Sequence, residues 1–344
     1  MATATPANPP PALSFPRPIF AAVDPHPFLQ AHLASKNAPQ RANGRAAAEF
    51  RTPAVHTGSL THCNGSAVVR LGNTSVVCGV RAEVLREEDT QGETFASAAT
   101  ESEEREEIER LRLLVPNVEL STGSTPNHIP GNAPSAFAQT LITRLRSILL
   151  STSLLRPSDL RILYTPPSNP DDATADPEPA VKAYWVLYID VFFISIDGNA
   201  LDAAWLSILA ALRTTVLPHA YWDPELEAIL CDDHVATAAK LELRGLPIPS
   251  TFAVFEGRGE WDESGEEEEG GNWVLSDPDA FEESVCRERV TLLVDCSDGE
   301  KGDVLRKVER CGGGGVGREE MRTLVKRAVE RWHEVTKVLA KSEV

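Results

Sequence analysis

Residues 62–84 read HCNGSAVVRLGNTSVVCGVRAEV, and the fold depends on how this stretch pairs with itself. Ala67, Val69 and Leu71 alternate with Ser66, Val68 and Arg70. Beyond Gly72-Asn73, Thr74, Val76 and Cys78 alternate with Ser75, Val77 and Gly79. Alternation of period two predicts half-buried strands, and a two-residue Gly-Asn link tolerates the positive φ of a tight hairpin turn. Leu71 then faces Thr74, so Ala67, Val69, Leu71, Val76 and Cys78 share one apolar face. Such a face needs a cover, which the rest of the chain must supply.

Two segments are suited to that task. In SAFAQTLITRLRSILLSTSLL, residues 135–155, the residues Ala138, Leu141, Ile142, Leu145, Ile148 and Leu149 recur at helical spacing behind a capping Ser135. Arg144 and Arg146 lie off that stripe. In residues 183–215, Tyr184 to Ile196 is almost continuously apolar, which predicts a strand covered on both faces. Asp197-Gly198-Asn199 turns the chain into a helix, from about 201 to 213, that is apolar nearly all round and therefore buried between layers. A short helix is expected near Pro25, and further strands at 246–256, 273–277 and 289–296. The chain closes on a long helix with Met321, Leu324, Val325, Ala328, Trp332, Val335 and Leu339 along one side. Strands and helices mix without strict alternation, so the class is α+β.

The composition sets bounds on function. The chain has 344 residues, 42% of them hydrophobic, which is ample for a sizeable core. Its 33 Lys and Arg against 51 Asp and Glu give a formal charge of -18. Phosphate contacts need clustered cations, so the chain should not coat itself in nucleic acid unaided. A local patch or partner subunits must supply any positive field; otherwise the acidity only confers solubility. The six cysteines, at 63, 78, 231, 286, 296 and 311, form no C-x-x-C pair, so reduced thiols are expected rather than a zinc site. No segment has the length and apolarity of a membrane span. Residues 1–23 read as a disordered, Pro- and Ala-rich arm. A single domain is expected over 24–344: a first half at about 46–165, a Pro-rich acidic loop at 166–180 and a second half at about 181–344. The Glu-rich 87–109 stretch reads as an exposed loop with a helical tail.

Most formal motifs fail when their context is weighed. Gly312 to Gly317 matches a dinucleotide-binding pattern only because any glycine run does, and it reads as a turn before the last helix. His62 and Cys63 are neighbours on an extended segment and point to opposite faces. The loop from Asp197 to Asp202 feeds a helix, and such a loop presents amide donors to an anion. Asp202, however, is expected to cap that helix end itself and to oppose a phosphate.

Several stretches together carry a resemblance. RANGRAAAEFR (41–51), GSAVVRLGNTSVVCGVRAEV (65–84) and WVLYIDVFFISIDGNALDAAWLSILAAL (185–212) resemble the RNase PH family, from about Pro25 to Val338. Within it the chain is most similar to eukaryotic exosome ring subunits, which share the motifs at Asp197–Asn199, Leu201–Ala203, Phe252–Phe255, Asp277-Pro278 and Glu282-Glu283. The resemblance implies an RNase PH-like (ribosomal protein S5 domain 2-like) fold with two pseudo-repeated β/α halves. Active members of the family degrade RNA from its 3′ end with inorganic phosphate. They carry Thr and Arg after an Asp-Gly-Gly turn, where this chain has Ala200, Leu201 and Asp202. They also carry an Asp about six residues beyond an acidic pair, where this chain has Arg289, whose pKa is too high for proton exchange near neutrality.

Arg144 and Arg146 match positions that contact RNA or phosphate, or they are solvated helix charges. The resemblance thus implies a non-catalytic subunit with no catalytic residue, metal or cofactor. Its implied partners are related subunits in a six-membered ring, S1- and KH-type caps, a hydrolytic exoribonuclease and RNA in the assembled channel, with no membrane. Nucleus, nucleolus and cytoplasm are the implied locations. An active phosphorolytic 3′-to-5′ exoribonuclease is the alternative.

Overall fold

The structure, a computed structural model, describes residues 16–35, 39–90, 100–125, 135–166, 179–259, 272–297, 302–312 and 316–342. Two short helices open it, α1 (Arg17–Val23) and α2 (Pro25–Leu33). The expected arm therefore holds a helix at its end: a proline starts α1, and Phe20 packs edge-on against Phe28 of α2. Residues 1–15 lie outside the described residues.

The first sheet contains β1 (Pro53–Thr57), β2 (Gly65–Leu71) and β3 (Thr74–Arg86). After α3 (Glu101–Arg110) come β4 (Leu114–Leu120), α4 (Ala136–Thr152), β5 (Arg161–Tyr164) and β6 (Ala180–Ser195). The strand order is β1-β2-β3-β6-β4, with β5 also on β6; only β4 runs parallel to its neighbour. The hairpin has the expected register, Leu71 opposite Thr74, and Ala67, Val69, Leu71, Val76 and Cys78 are fully buried. In the 87–109 stretch the expected helical tail is present as α3. A 3-10 turn spans Glu87–Thr90, and Thr100 and Glu103 form a capping box at the start of α3. Residues 91–99 lie outside the described residues, as do 167–178 of the acidic loop.

The cover is α5 (Ala200–Arg213), which packs on β1, β2, β3 and β6 and is buried from Ala200 to Leu212. Its indole at Trp205 donates to the Pro247 carbonyl at 2.6 Å, so the one polar atom of that ring is satisfied inside the core. Then come β7 (Val216–Leu217), β8 (Ala220–Asp223), β9 (Ala228–Cys231) and β10 (Ala239–Lys240), small pairs at the periphery that the pattern did not announce.

The second sheet holds β11 (Ile248–Glu256), β12 (Asn272–Ser276), β13 (Glu288–Asp295) and β14 (Val304–Cys311), ordered β12-β11-β13-β14. A short helix, α6 (Ala280–Val285), links β12 to β13, and α7 (Arg318–Lys341) ends the fold. Leu324 and Ala328 of α7 pack on Phe252, Val290, Leu292 and Val294, whereas α2 packs its Leu29 and Leu33 with Ala253 and Phe255.

The strand after the 166–180 loop, β6, completes the first sheet by pairing with β3, β4 and β5. One expectation is corrected here: β6 is not covered on both faces throughout. Ala183–Leu187 are buried on both, but Phe192 and Ile194 are exposed while Val191 and Phe193 are buried. The helix α5 covers one face of that end of the strand, and Phe192 and Ile194 point to the other.

Candidate functional site

A cleft of about 620 Å³ opens where α4, the start of α5 and the second sheet converge. From α4 it takes Thr140, Leu141 and Arg144; from the α5 start, Asn199, Ala200 and Leu201; from the second sheet, Thr251, Arg289, Thr291 and Glu309. Glu283 of α6 closes one side. The helical stripe that buries Leu141, Leu145 and Leu149 leaves Arg144 on the flank facing β14, which is why a core helix can present a cation to the cleft.

Every cleft cation so placed meets a carboxylate. Arg144 donates to Glu309 at 2.8 Å and to the Thr291 hydroxyl at 3.3 Å. Arg289 donates to Glu283 at 3.4 Å. Arg310, also on the wall, pairs with Glu288 at 2.5 Å. The Glu283 carboxylate accepts in addition from the Asn199 backbone N–H, at 3.1 Å. Burial raises the Glu283 carboxyl above its ordinary range, against the pull of Arg289. Glu309 goes the other way: burial pushes it up, but Lys307 and Arg144 outweigh that and hold it low.

The sequence-derived positions divide. Arg144, Ala200, Leu201 and Arg289 line the cleft. Arg146 is exposed and does not line it, since two residues along a helix rotate the side chain to the far flank. Asp202 requires a correction. It makes no side-chain cap on its own helix and does not line the cleft. It is fully buried and accepts from the Thr251 hydroxyl at 2.7 Å, the Thr251 N–H at 3.1 Å and the Asn199 amide at 2.9 Å. Arg331 of α7 faces it at 3.1 Å and stacks over Phe50 at 4.4 Å. Asp202 thus sits in the first turn of α5 without capping it or facing the cleft. That carboxylate is turned into the protein interior, where a buried guanidinium and β11 supply its partners.

Behind the cleft, motifs more than two hundred residues apart in sequence meet in one buried ionic cluster. Asp277, fully buried and at φ 54°, accepts from Arg51 at 2.7 and 2.8 Å and from the Asn199 amide at 2.6 Å. Burial alone would raise its carboxyl, but Arg51, Arg331 and Asn199 outweigh that and lower it to about 2. Arg41 donates to the carbonyls of Ala47 and Ser276 and to Glu282 at 3.3 Å, while Asn43 donates to Asp279 at 2.7 Å. The segment 41–51 is thereby bound to 276–282, and the Asp197–Asn199 turn is held between them by Arg51 on the Asp197 carbonyl.

The roles of Thr251, Glu309 and Arg331 were missed in the sequence. Only Arg331 carried a signal: it falls three residues after Ala328 and seven after Leu324, on the buried side of α7, where a charge demands a partner. No cluster of potential metal ligands occurs among the described residues.

Comparison with known proteins gives concordant matches. The 3′ exoribonuclease family, domain 1 (RNase PH), matches residues 49–218. The exosome complex component rrp43 of Schizosaccharomyces pombe is 29% identical over 287 residues, covering 83% of this chain and 86% of its own. The exosome complex component Rrp42 of Thermococcus gammatolerans is 27% identical, covering 87% of this chain and 89% of its own. Among solved structures, an Archaeoglobus fulgidus exosome chain, from a complex with RNA bound to the active site, superposes with a TM-score of 0.60 at 20% identity. It covers 91% of this chain and 96% of the other. An archaeal exosome core chain gives 0.57 at 19% identity.

Proposed function

Because the chain carries an RNase PH family domain on an RNase PH-like fold, we propose that it is a non-catalytic subunit of an exosome core ring. In that role it supports 3′-to-5′ RNA processing and decay by helping to build the RNA channel. The similarity to exosome components from a eukaryote and an archaeon, over more than four fifths of each chain, supports the ring assignment. Related RNase PH-like subunits are its direct neighbours, S1- and KH-type caps and a hydrolytic exoribonuclease complete the assembly, and nucleus, nucleolus and cytoplasm are its locations. Phe192 and Ile194, exposed on the open face of the first sheet, suit a chain that buries more surface in an assembly than alone.

One observation carries the non-catalytic reading. Phosphorolysis needs an anion pocket, a positioned 3′ end and an acid for the departing oxygen. Here the cleft arginines Arg144 and Arg289 are paired with Glu309 and Glu283, and Arg289 stands where the family resemblance expects the acid. Arg144 keeps a residual role as a contact for RNA passing the cleft; Arg146 contacts RNA outside it.

The test is a labelled single-stranded RNA incubated with the assembled ring, with and without phosphate, with the hydrolytic partner inactivated. No phosphate-dependent nucleoside diphosphate attributable to this chain is expected. Diphosphate release that disappears on Arg289→Ala would instead establish the phosphorolytic exoribonuclease.

A further inference from the structure

The position of Glu283 suggests why the cleft is closed to anions. Its carboxylate lies between a backbone N–H of the Asp197–Asn199 turn and the guanidinium of Arg289, at 3.1 and 3.4 Å. The loop N–H and the guanidinium converge on one carboxylate oxygen, Oε1, which is how donors gather on an oxygen of a bound phosphate. The side chain is only 22% exposed, so it is held there by the fold and is no passing surface contact. The turn itself cannot drift away, because Arg51 and Asn199 tie it to Asp277.

We propose that Glu283 is an internal counter-ion that occupies the anion position of this cleft, so that phosphate-bearing groups bind there only when Glu283 is neutral or displaced. The inference rests on reading the cleft as a disabled phosphorolytic site, and it adds the carboxylate that neutralises Arg289 there and the condition that frees that arginine. The charged groups around Glu283 come from every neighbouring element. They are Arg289 on β13, Arg144 on α4, Glu309 and Arg310 on β14 (the latter paired with Glu288), Arg51 before β1, Asp197 in the turn, and Asp279 and Glu282 on its own segment. Of the two cleft carboxylates, burial raises Glu283 while Lys307 and Arg144 lower Glu309. Acidification therefore neutralises Glu283 first and leaves the cleft with excess positive charge.

Sulfate binding to the full chain tests this, because sulfate keeps its charge across the range of interest. Calorimetric titration of the wild type should show binding that strengthens as pH falls toward the titration of the Glu283 carboxyl, which burial raises. Glu283→Gln retains an acceptor for the Asn199 backbone N–H and should bind sulfate at least about tenfold more tightly than the wild type at neutral pH, since one opposing charge is gone. The gain should be lost in Glu283→Gln combined with Arg289→Ala. The proposal is overturned by a wild-type profile that is flat with pH, or by a Glu283→Gln gain that survives removal of Arg289. RNA decay is not measured in this experiment, so the non-catalytic reading can stand or fall separately.

Discussion

At the scale of single residues, Asp277 carries the heaviest electrostatic load. Its carboxyl is lowered from 3.8 to about 2 by a set of partners that starts with Arg51. A group lowered in the folded state contributes stability that is complete above its unfolded value and is lost as pH falls through its folded value. The contribution should therefore decline between about pH 4 and about pH 2, with a size of roughly 2 kcal/mol for a shift of this extent. Glu282 and Glu283, both raised by burial, act in the opposite sense, and their ionisation costs stability as pH rises through their ordinary range. Asp277→Asn leaves Arg51 and Arg331 short of a counter-charge and should cost about 3–5 kcal/mol at neutral pH. Urea denaturation of wild type and variant at neutral and acid pH measures both effects, and the gap between them should narrow in acid. None of this was legible in the residues themselves. Asp277-Pro278 stood out only as a motif, because its partners lie at 51 and 199 in the chain and a sequence does not show which distant charges meet.

At the scale of elements, the hairpin and α5 were the most legible parts. Period-two alternation around Gly72-Asn73 set the register, and a helix apolar on every side could only lie between layers. What the pattern could not show was where α5 begins to touch the second sheet. The turn before it is fixed by Gly198, at φ +71°, where a Cβ would collide with the backbone of Asp279 and Ala280. Gly198→Ala therefore combines a left-handed conformation with overlap against an immobile chain, and should cost about 2–4 kcal/mol. Ser135→Ala, by contrast, removes one capping bond from Ala138 N–H and should cost about 1 kcal/mol. Thermal unfolding of the two variants under one buffer should rank them in that order; equal losses would mean that the turn is free to relax. The peripheral pairs β7–β10 and β8–β9 escaped sequence reading because their two- to four-residue strands are too short to show a period.

At the scale of the whole molecule, the cleft was half legible. Arg144, Ala200, Leu201 and Arg289 fall on its walls, but Asp202 turns inward to Arg331, and Glu283 takes the opposing role that Asp202 was expected to fill. A chain with a formal charge of -18 and internally paired cleft arginines is suited to shaping a channel among neighbours and poorly suited to gripping RNA by itself. Membership of the ring is therefore the claim on which the functional account depends. Native mass spectrometry of the particle purified through an affinity tag on this chain, in the cells that make it, examines it directly. The expected result is a six-membered core in which this chain is present once beside other RNase PH-like subunits. A lone chain, or a particle made only of copies of this chain with no related subunit in stoichiometric amount, would contradict it.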